Sequence, residues 1–326
     1  MKAILFDEPG DESVLKLGDA PSPAMQPGSL RLKVAAAAVN RGDLLQRKGH
    51  NPPPPGASEI IGLECAGEVV EMADDVTGWK PGDRAMALLP GGGYAEEVVV
   101  HAGSAMPVPE RLSFEEAAAV PEVFLTVHLK VFMLGRFPDG GSLLVHGGGS
   151  GIGTCATQLV KQVGGQVVVT AGSDEKCAQC LKLGADVAVN YNEADFVQAA
   201  KDATGGKGVD LVLDSIGGPY LERNLQALAP DGRLVIIGLM GGAKAEINLG
   251  LVVAKRLQVI GSTLRARPVE EKAEIVRSFL DRFGAALDDG RIGPVVDEVF
   301  PLANAADAHR KMNASDHFGK LVLKMG

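Results

Sequence analysis

The segment Val145-His146-Gly147-Gly148-Gly149-Ser150-Gly151-Ile152-Gly153 constrains the fold of this chain more than any other stretch. It ends a short apolar run, Leu143 to His146, and leads into Thr154 to Val160, where apolar residues recur at three- and four-residue spacing. A strand that turns into a helix through glycines leaves main-chain N–H groups pointing out of the helix N-terminus. A diphosphate can reach them only where no Cβ intervenes. Against the dinucleotide fingerprint G-x-G-x-x-G, Gly148 and Gly153 match, and Ser150 takes the place of the middle glycine. A turn of purely structural purpose is the bland alternative; strand before and helix after is the context that the fingerprint requires.

Further strands follow this turn at regular intervals: Gln166 to Ala171, Val187 to Asn190, Val209 to Asp214, Arg233 to Gly238 and Leu257 to Ser262. Each is four to six residues long, apolar, and separated from the next by a helical stretch. That alternation predicts a parallel sheet buried on both faces, in the doubly wound Rossmann arrangement. The preceding part reads as β-rich. Its apolar runs (Leu30 to Val39, Leu63 to Met72, Arg84 to Leu88, Tyr94 to Val100) alternate with Pro/Gly turns, and no helix-length pattern interrupts them before Ser113 to Val120. The run Asn51-Pro52-Pro53-Pro54-Pro55-Gly56 is a stiff loop, either a plain connector or a wall of the substrate site. After Arg267-Pro268 come a charged amphipathic helix, a strand at Val295 to Phe300, a helix at Ala303 to Met312 and a last strand, Gly319 to Lys324. This tail is too small to fold alone, so it is expected to return and complete the first domain.

The end of the second strand of the series selects the cofactor. An acid there would bind the ribose 2′-hydroxyl of NAD. The chain instead reads Gly172-Ser173, with Lys176 one helical step on, so that Ser173 can donate to a 2′-phosphate and Lys176 can neutralise it. This favours NADPH. Asp174 and Glu175 leave a second reading open, an NAD-type acid displaced by a residue or two, although both also suit the first turn of a helix. The glycine turns Gly217-Gly218 and Gly238-Leu239-Met240-Gly241-Gly242 follow later strands, where ligands sit in open α/β sheets.

The net charge of −9 argues against nucleic acid as the main partner, which needs a basic face. No apolar run reaches the roughly 18 residues of a membrane span. The start of the chain turns acidic at Asp7 before a signal-peptide core forms, and the four cysteines suggest no disulfide framework. A soluble, cytoplasmic protein without a membrane partner is expected.

Several stretches together resemble the quinone oxidoreductase family, the zinc-independent branch of the medium-chain dehydrogenase/reductase superfamily. They look most like the group of the p53-induced quinone oxidoreductase homologue. They are Val39 to Arg47, Pro53 to Gly56, Gly62 to Gly67, Ala87 to Ala95, Ala118 to Glu122, Thr170 to Ser173, Asn190-Tyr191, Gly238 to Gly242 and Gly261 to Arg265. The likeness runs in order along essentially the whole chain. It implies an α/β protein with a GroES-like β-barrel catalytic domain (1–122 and 268–326) and a Rossmann NADP-binding domain (123–267), the active site between them, and a homodimer or homotetramer. By position it implies Asn40 and Thr126 as catalytic residues beside the nicotinamide. Ser150, Gly151, Ile152 and Gly153 should meet the pyrophosphate. Gly172, Ser173, Lys176 and Tyr191 should surround the adenosine phosphate, and Gly238, Leu239, Met240, Thr263 and Leu264 should follow the ribose and nicotinamide. Asn51, His128 and Leu264 would line the substrate pocket. His50-Asn51 stands where relatives often place a tyrosine, and Val127-His128 where they usually have a small residue and an aromatic, so the acceptor is the least determined feature.

Zinc-dependent relatives need Cys/His ligands. This chain has Asn40 and Leu63 at the corresponding places, no cysteine between Gly82 and Tyr94, and histidines that never cluster. Cys177 and Cys180 lie on one helix with no second pair and read as packing. His146 reads as a structural hydrogen-bonding residue, whereas His128 admits a role as proton donor or as core. The expected activity is direct hydride transfer from NADPH to a quinone without metal. The alternatives are an NADPH-dependent 2-alkenal/enone reductase, and a non-catalytic NADPH-binding protein of the crystallin kind.

Overall fold

The computed structural model describes all residues from Met1 to Gly326. In chain order its strands are β1 (Lys2–Leu5), β2 (Lys16–Asp19), β3 (Ser29–Ala38), β4 (Glu64–Met72), β5 (Arg84–Leu88), β6 (Glu97–His101), β7 (Ala105–Pro107), β8 (Ser142–His146), β9 (Gln166–Ala171), β10 (Val187–Asn190), β11 (Val209–Asp214), β12 (Leu228–Ile236), β13 (Gln258–Gly261), β14 (Val296–Pro301) and β15 (Lys320–Lys324). They fall into two compact units, Met1–Leu125 with Leu264–Gly326, and Thr126–Thr263.

The second unit is a Rossmann-like sheet of parallel strands in the order β10-β9-β8-β11-β12-β13. The middles of its central strands are apolar because helices cover both faces. Leu143, Leu144, Val145, Val168 and Val212 have essentially no exposed surface. The chain moves outward from β8 to β9 and β10, then crosses back to lay β11 on the other side of β8. The carboxyl ends of β8 and β11 therefore lie side by side where the winding reverses, and connections leave them in opposite directions. Such a crevice is where open α/β sheets bind ligands.

The first unit is GroES-like. Its main sheet runs β14-β15-β3-β4-β5-β7, with β6 also pairing β3. The tail does return: β15 lies antiparallel to β3, Val322 opposite Ala38, and Leu321 and Leu323 join Leu30, Leu32, Val69 and Tyr94 in one core.

Two sequence expectations need correction. A helix, Arg41–Arg47, interrupts the β-rich part. Seven residues are too few to show a period, but its start is fixed by the Asp43 carboxylate, which accepts from the Asn40 N–H at 2.7 Å. In addition, the helical stretch Phe114–Leu134 is long and apolar enough to cross a membrane by length and composition. Counting unbroken apolar runs missed it because the stretch averages over isolated charges. Its most apolar window is 83% buried inside the protein, as in a core helix.

An ion pair is sealed into the first unit. Lys320 on β15 and Glu64 on β4 meet at 2.7 Å, with side-chain exposures of 4% and 0%. The lysine also donates to Asn40 Oδ1 (2.6 Å) and to the Val39 carbonyl (3.0 Å). Glu64 accepts from Asn40 Nδ2 at 2.8 Å and, through its other oxygen, from the Glu122 N–H at 2.8 Å. Each charge is compensated and hydrogen-bonded, the condition under which buried ions are tolerated. Removing one leaves the other stranded. Lys320→Met is therefore expected to lower unfolding free energy by about 3–5 kcal/mol. Denaturant titration checks this, and a loss below about 1 kcal/mol, the range of an exposed pair, contradicts it.

Candidate functional site

At the β8 turn, Ser150 caps the helix Gly151–Gln162: its Oγ accepts from the Gly153 N–H at 3.1 Å and its carbonyl from Thr154 at 2.9 Å. The Ser150 and Gly148 amides are taken by the Gly147 and Thr170 carbonyls. The amides of Gly151 and Ile152, first in the helix, have no intrahelical acceptor. These two N–H groups, with the Ser150 hydroxyl proton, are what the turn offers an anion. Gly153 thus has a different task from the one expected of it, since its own amide is spent on the cap. A Cβ there would stand 2.5 Å from Gly148 Cα, so the residue lets the helix close onto the strand. A Cβ at Gly148 would meet Val169 Cβ at 2.7 Å and Cys180 Sγ at 2.9 Å. Cys180, 1% exposed, packs directly beneath the turn. The turn fits a diphosphate: it is close-packed below and leaves two amides without an intrahelical acceptor.

The β9 turn lies next to it in the sheet. Ser173 caps the helix Asp174–Leu183, and Lys176 sits in its first turn. Asp174 is held by Asn190, whose Nδ2 donates to its carboxylate at 2.9 Å, and the Gly172 carbonyl accepts from Asn192 Nδ2 at 3.0 Å. Tyr191 is 44% exposed, and its hydroxyl lies where a Cβ on Gly172 would stand, 2.7 Å away. Gly172, Ser173, Lys176 and Tyr191 therefore border one patch at the carboxyl ends of β9 and β10.

On the other side of β8, Leu239 and Met240 are 52% and 56% exposed on the loop that follows β12. Thr263 is exposed just beyond β13. His146 is structural. It bridges Thr170 Oγ1 (3.0 Å) and Asn224 Oδ1 (2.7 Å), and burial pulls its pKa down to about 4. His128 is 1% exposed and stacked on Phe132, and Thr126 is buried in the same helical stretch.

In the first unit the Asn40 side chain is locked. Its amide donates to Glu64 Oε1 (2.8 Å) and the Ala38 carbonyl (3.2 Å) while its oxygen accepts from Lys320. Both amide protons are spent, which leaves one lone pair on Oδ1 as its remaining hydrogen-bonding capacity. Asn51 is tied down through its carbonyl, which accepts from Arg265 Nη1 at 2.9 Å; the same guanidinium reaches the Pro90 carbonyl and Gln46 Oε1. Leu264 is 5% exposed.

Beneath Asn40 runs a buried chain that the sequence reading missed. Arg47 can only donate, so His309 Nδ1 must accept from it (3.2 Å). His309 Nε2–H then donates to the Tyr94 oxygen (3.1 Å), and Tyr94 donates to Asp43 Oδ2 (3.1 Å). Burial pulls His309 down to about 3, which keeps it neutral beside the guanidinium. Asp43 Oδ1 is buried without a partner. Burial raises Asp43 to about 7, against the opposing pull of the Asn40 N–H and Lys320. Between the ordinary value of 3.8 and about 7 the folded chain holds a proton that the unfolded chain has released. Stability must then fall as pH rises through that window, by up to about 1.4 kcal/mol per pH unit. Asp43→Asn removes the titration. Urea unfolding of both proteins from pH 4 to 8 should show wild type losing ground to the variant between about pH 4 and about 7; parallel profiles would contradict the assignment.

No group of three or more His, Cys, Asp or Glu side chains is placed to hold a metal ion. Comparison with known proteins gives the lineage. Residues 26–110 match the alcohol dehydrogenase GroES-like domain, and residues 151–281 match the family described as zinc-binding dehydrogenase. The quinone oxidoreductase of Rattus norvegicus is 32% identical over 99% of this chain and 97% of its own length. The synaptic vesicle membrane protein VAT-1 homolog of Mus musculus is 32% identical over 100% of this chain and 84% of its own. Among solved structures, Escherichia coli quinone oxidoreductase complexed with NADPH superposes with a TM-score of 0.88 at 28% identity, covering 99% of this chain and 100% of that one. The chain belongs to the quinone oxidoreductase family, the zinc-independent branch of the medium-chain dehydrogenase/reductase superfamily.

Proposed function

We propose that this protein is an NADPH-dependent oxidoreductase that delivers hydride to a quinone-type acceptor. Four observations support NADPH. The β8 turn offers free amides to a diphosphate, and the β9 patch combines a hydroxyl, Ser173, with an ammonium, Lys176, beside an exposed Tyr191. The carboxylate that would favour a ribose 2′-hydroxyl, Asp174, is occupied by Asn190. The E. coli relative was solved with NADPH.

Asn40 carries the reading of the acceptor. It is assigned to the reacting end, yet with both amide protons donated inside the protein it has none to give a carbonyl oxygen. Thr126, Asn51 and Leu264, assigned to the same end, do not ionise near neutral pH, and His128 is 1% exposed. A site so short of acid suits an acceptor that takes hydride without strong activation, such as a quinone. Bound NADPH supplies the hydride. The protein contributes orientation and exclusion of water, and the proton that completes reduction to the hydroquinone comes from solvent.

The test is NADPH oxidation with ortho- and para-quinones set against 2-alkenals and other enones, with and without a strong chelator. Quinones should give kcat/KM at least about tenfold above the enones, a difference of about 1.4 kcal/mol in transition-state stabilisation, with no effect of chelator. The reverse preference would assign the protein as an enone reductase. NADPH binding without turnover of either class would assign it as a non-catalytic binder.

A further inference from the structure

Asp214, the last residue of β11, has no exposed surface, although it stands at the crevice where the sheet reverses. Its carboxylate is turned back on its own chain. It accepts from the Ile216 N–H at 2.7 Å and from the Gly217 N–H at 3.1 Å, folding residues 215–218 into a tight turn. That turn is zipped to the loop after β12. Met240 N–H donates to the Ser215 carbonyl (3.1 Å), Gly241 to Ile216 (2.8 Å) and Gly218 to Gly242 (2.9 Å), with a parallel bridge between Gly217 and Gly242.

The glycines are required for this contact. Gly217 has φ +84°, and a Cβ on it would stand 2.7 Å from the Gly242 carbonyl oxygen and 2.8 Å from Leu239 Cδ2. A Cβ on Gly218 would stand 2.5 Å from the Lys244 carbonyl oxygen. Glycines at a β-strand end suggest phosphate binding; here they admit a second loop. The outcome of the zipping is that Leu239 and Met240 are held out from the carboxyl edge of the sheet with more than half their surface exposed.

Strand order determines which part of the cofactor lies there. With the diphosphate on the β8 turn and the adenosine phosphate over β9 and β10, the remaining half must extend over β11 and β12. We infer that Asp214 is a positioning residue for the nicotinamide half of the site. It touches no part of the cofactor, and sets the 215–218 turn on which the 239–242 loop is carried. The inference rests on the NADPH reading and is independent of the acceptor.

Calorimetric titration with NADPH and with 2′,5′-ADP, which carries only the adenosine and phosphate end, separates this role from general stability. Asp214→Asn keeps the shape of the side chain but replaces one acceptor oxygen with a donor facing N–H groups. It should weaken NADPH at least about tenfold while 2′,5′-ADP stays within about twofold of wild type. Gly217→Ala, which leaves the carboxylate in place and forces the two loops apart, should give the same split. Equal weakening of both ligands, or unchanged NADPH affinity, in Asp214→Asn overturns the inference. If that variant binds neither ligand, Gly217→Ala decides by the same criterion. Wild-type protein that binds 2′,5′-ADP and NADPH equally tightly would also overturn it, since the nicotinamide half would then make no contact to lose. Wild-type protein that binds neither would instead sink the NADPH reading.

Discussion

Everything proposed for the second unit depends on how closely a ligand can approach backbone. A turn of glycines between β8 and its helix is packed from below by Val169 and Cys180, and the amides of Gly151 and Ile152 at its helix start have no intrahelical acceptor. Ser150 does the work of a cap, which satisfies Gly153 and leaves the two earlier amides free. The serine that breaks the strict glycine fingerprint thereby organises the anion site and does not impair it. On either side the sheet supplies the rest, with hydroxyl and ammonium after β9, and the zipped loops after β11 and β12.

The first unit places charge in its core, and in doing so fixes Asn40. An asparagine at the surface could turn its amide either way. Here an ammonium on one side and a carboxylate on the other allow one orientation only, and the cost of burying that pair is offset because each charge is compensated by the other and hydrogen-bonded to its surroundings. The neighbouring chain from Arg47 to Asp43 is less complete, with one carboxylate oxygen unpartnered. Its consequence is a carboxyl group that titrates near neutrality inside the fold.

Local pattern made much of this legible. Four- to six-residue apolar runs separated by helical stretches located every strand of the parallel sheet, because a strand covered on both faces has to be apolar along its length. The β12 strand starts earlier than its main apolar part, at Leu228, because Leu228 pairs with Val209 ahead of a bulge around Asp231, after which the ladder resumes at Arg233. The role of Asn40 was not legible, since its partners Glu64 and Lys320 lie 24 and 280 residues away and nothing local links them. Glu64 and Lys320 did leave a trace, as charges at the head of strands whose next residues are apolar. Asp214 left the same trace at the end of β11. A charge inside a run that must be buried needs a partner, and asking where the partner lies would have pointed to all three.

The most direct measurement is calorimetric titration of the purified protein with NADPH and, separately, NADH. One NADPH per chain is expected, bound at least about tenfold more tightly than NADH because only the former carries the phosphate that Ser173 and Lys176 can meet. Uptake of neither nucleotide would contradict the account at its root, and a preference for NADH would contradict the role given to those two side chains.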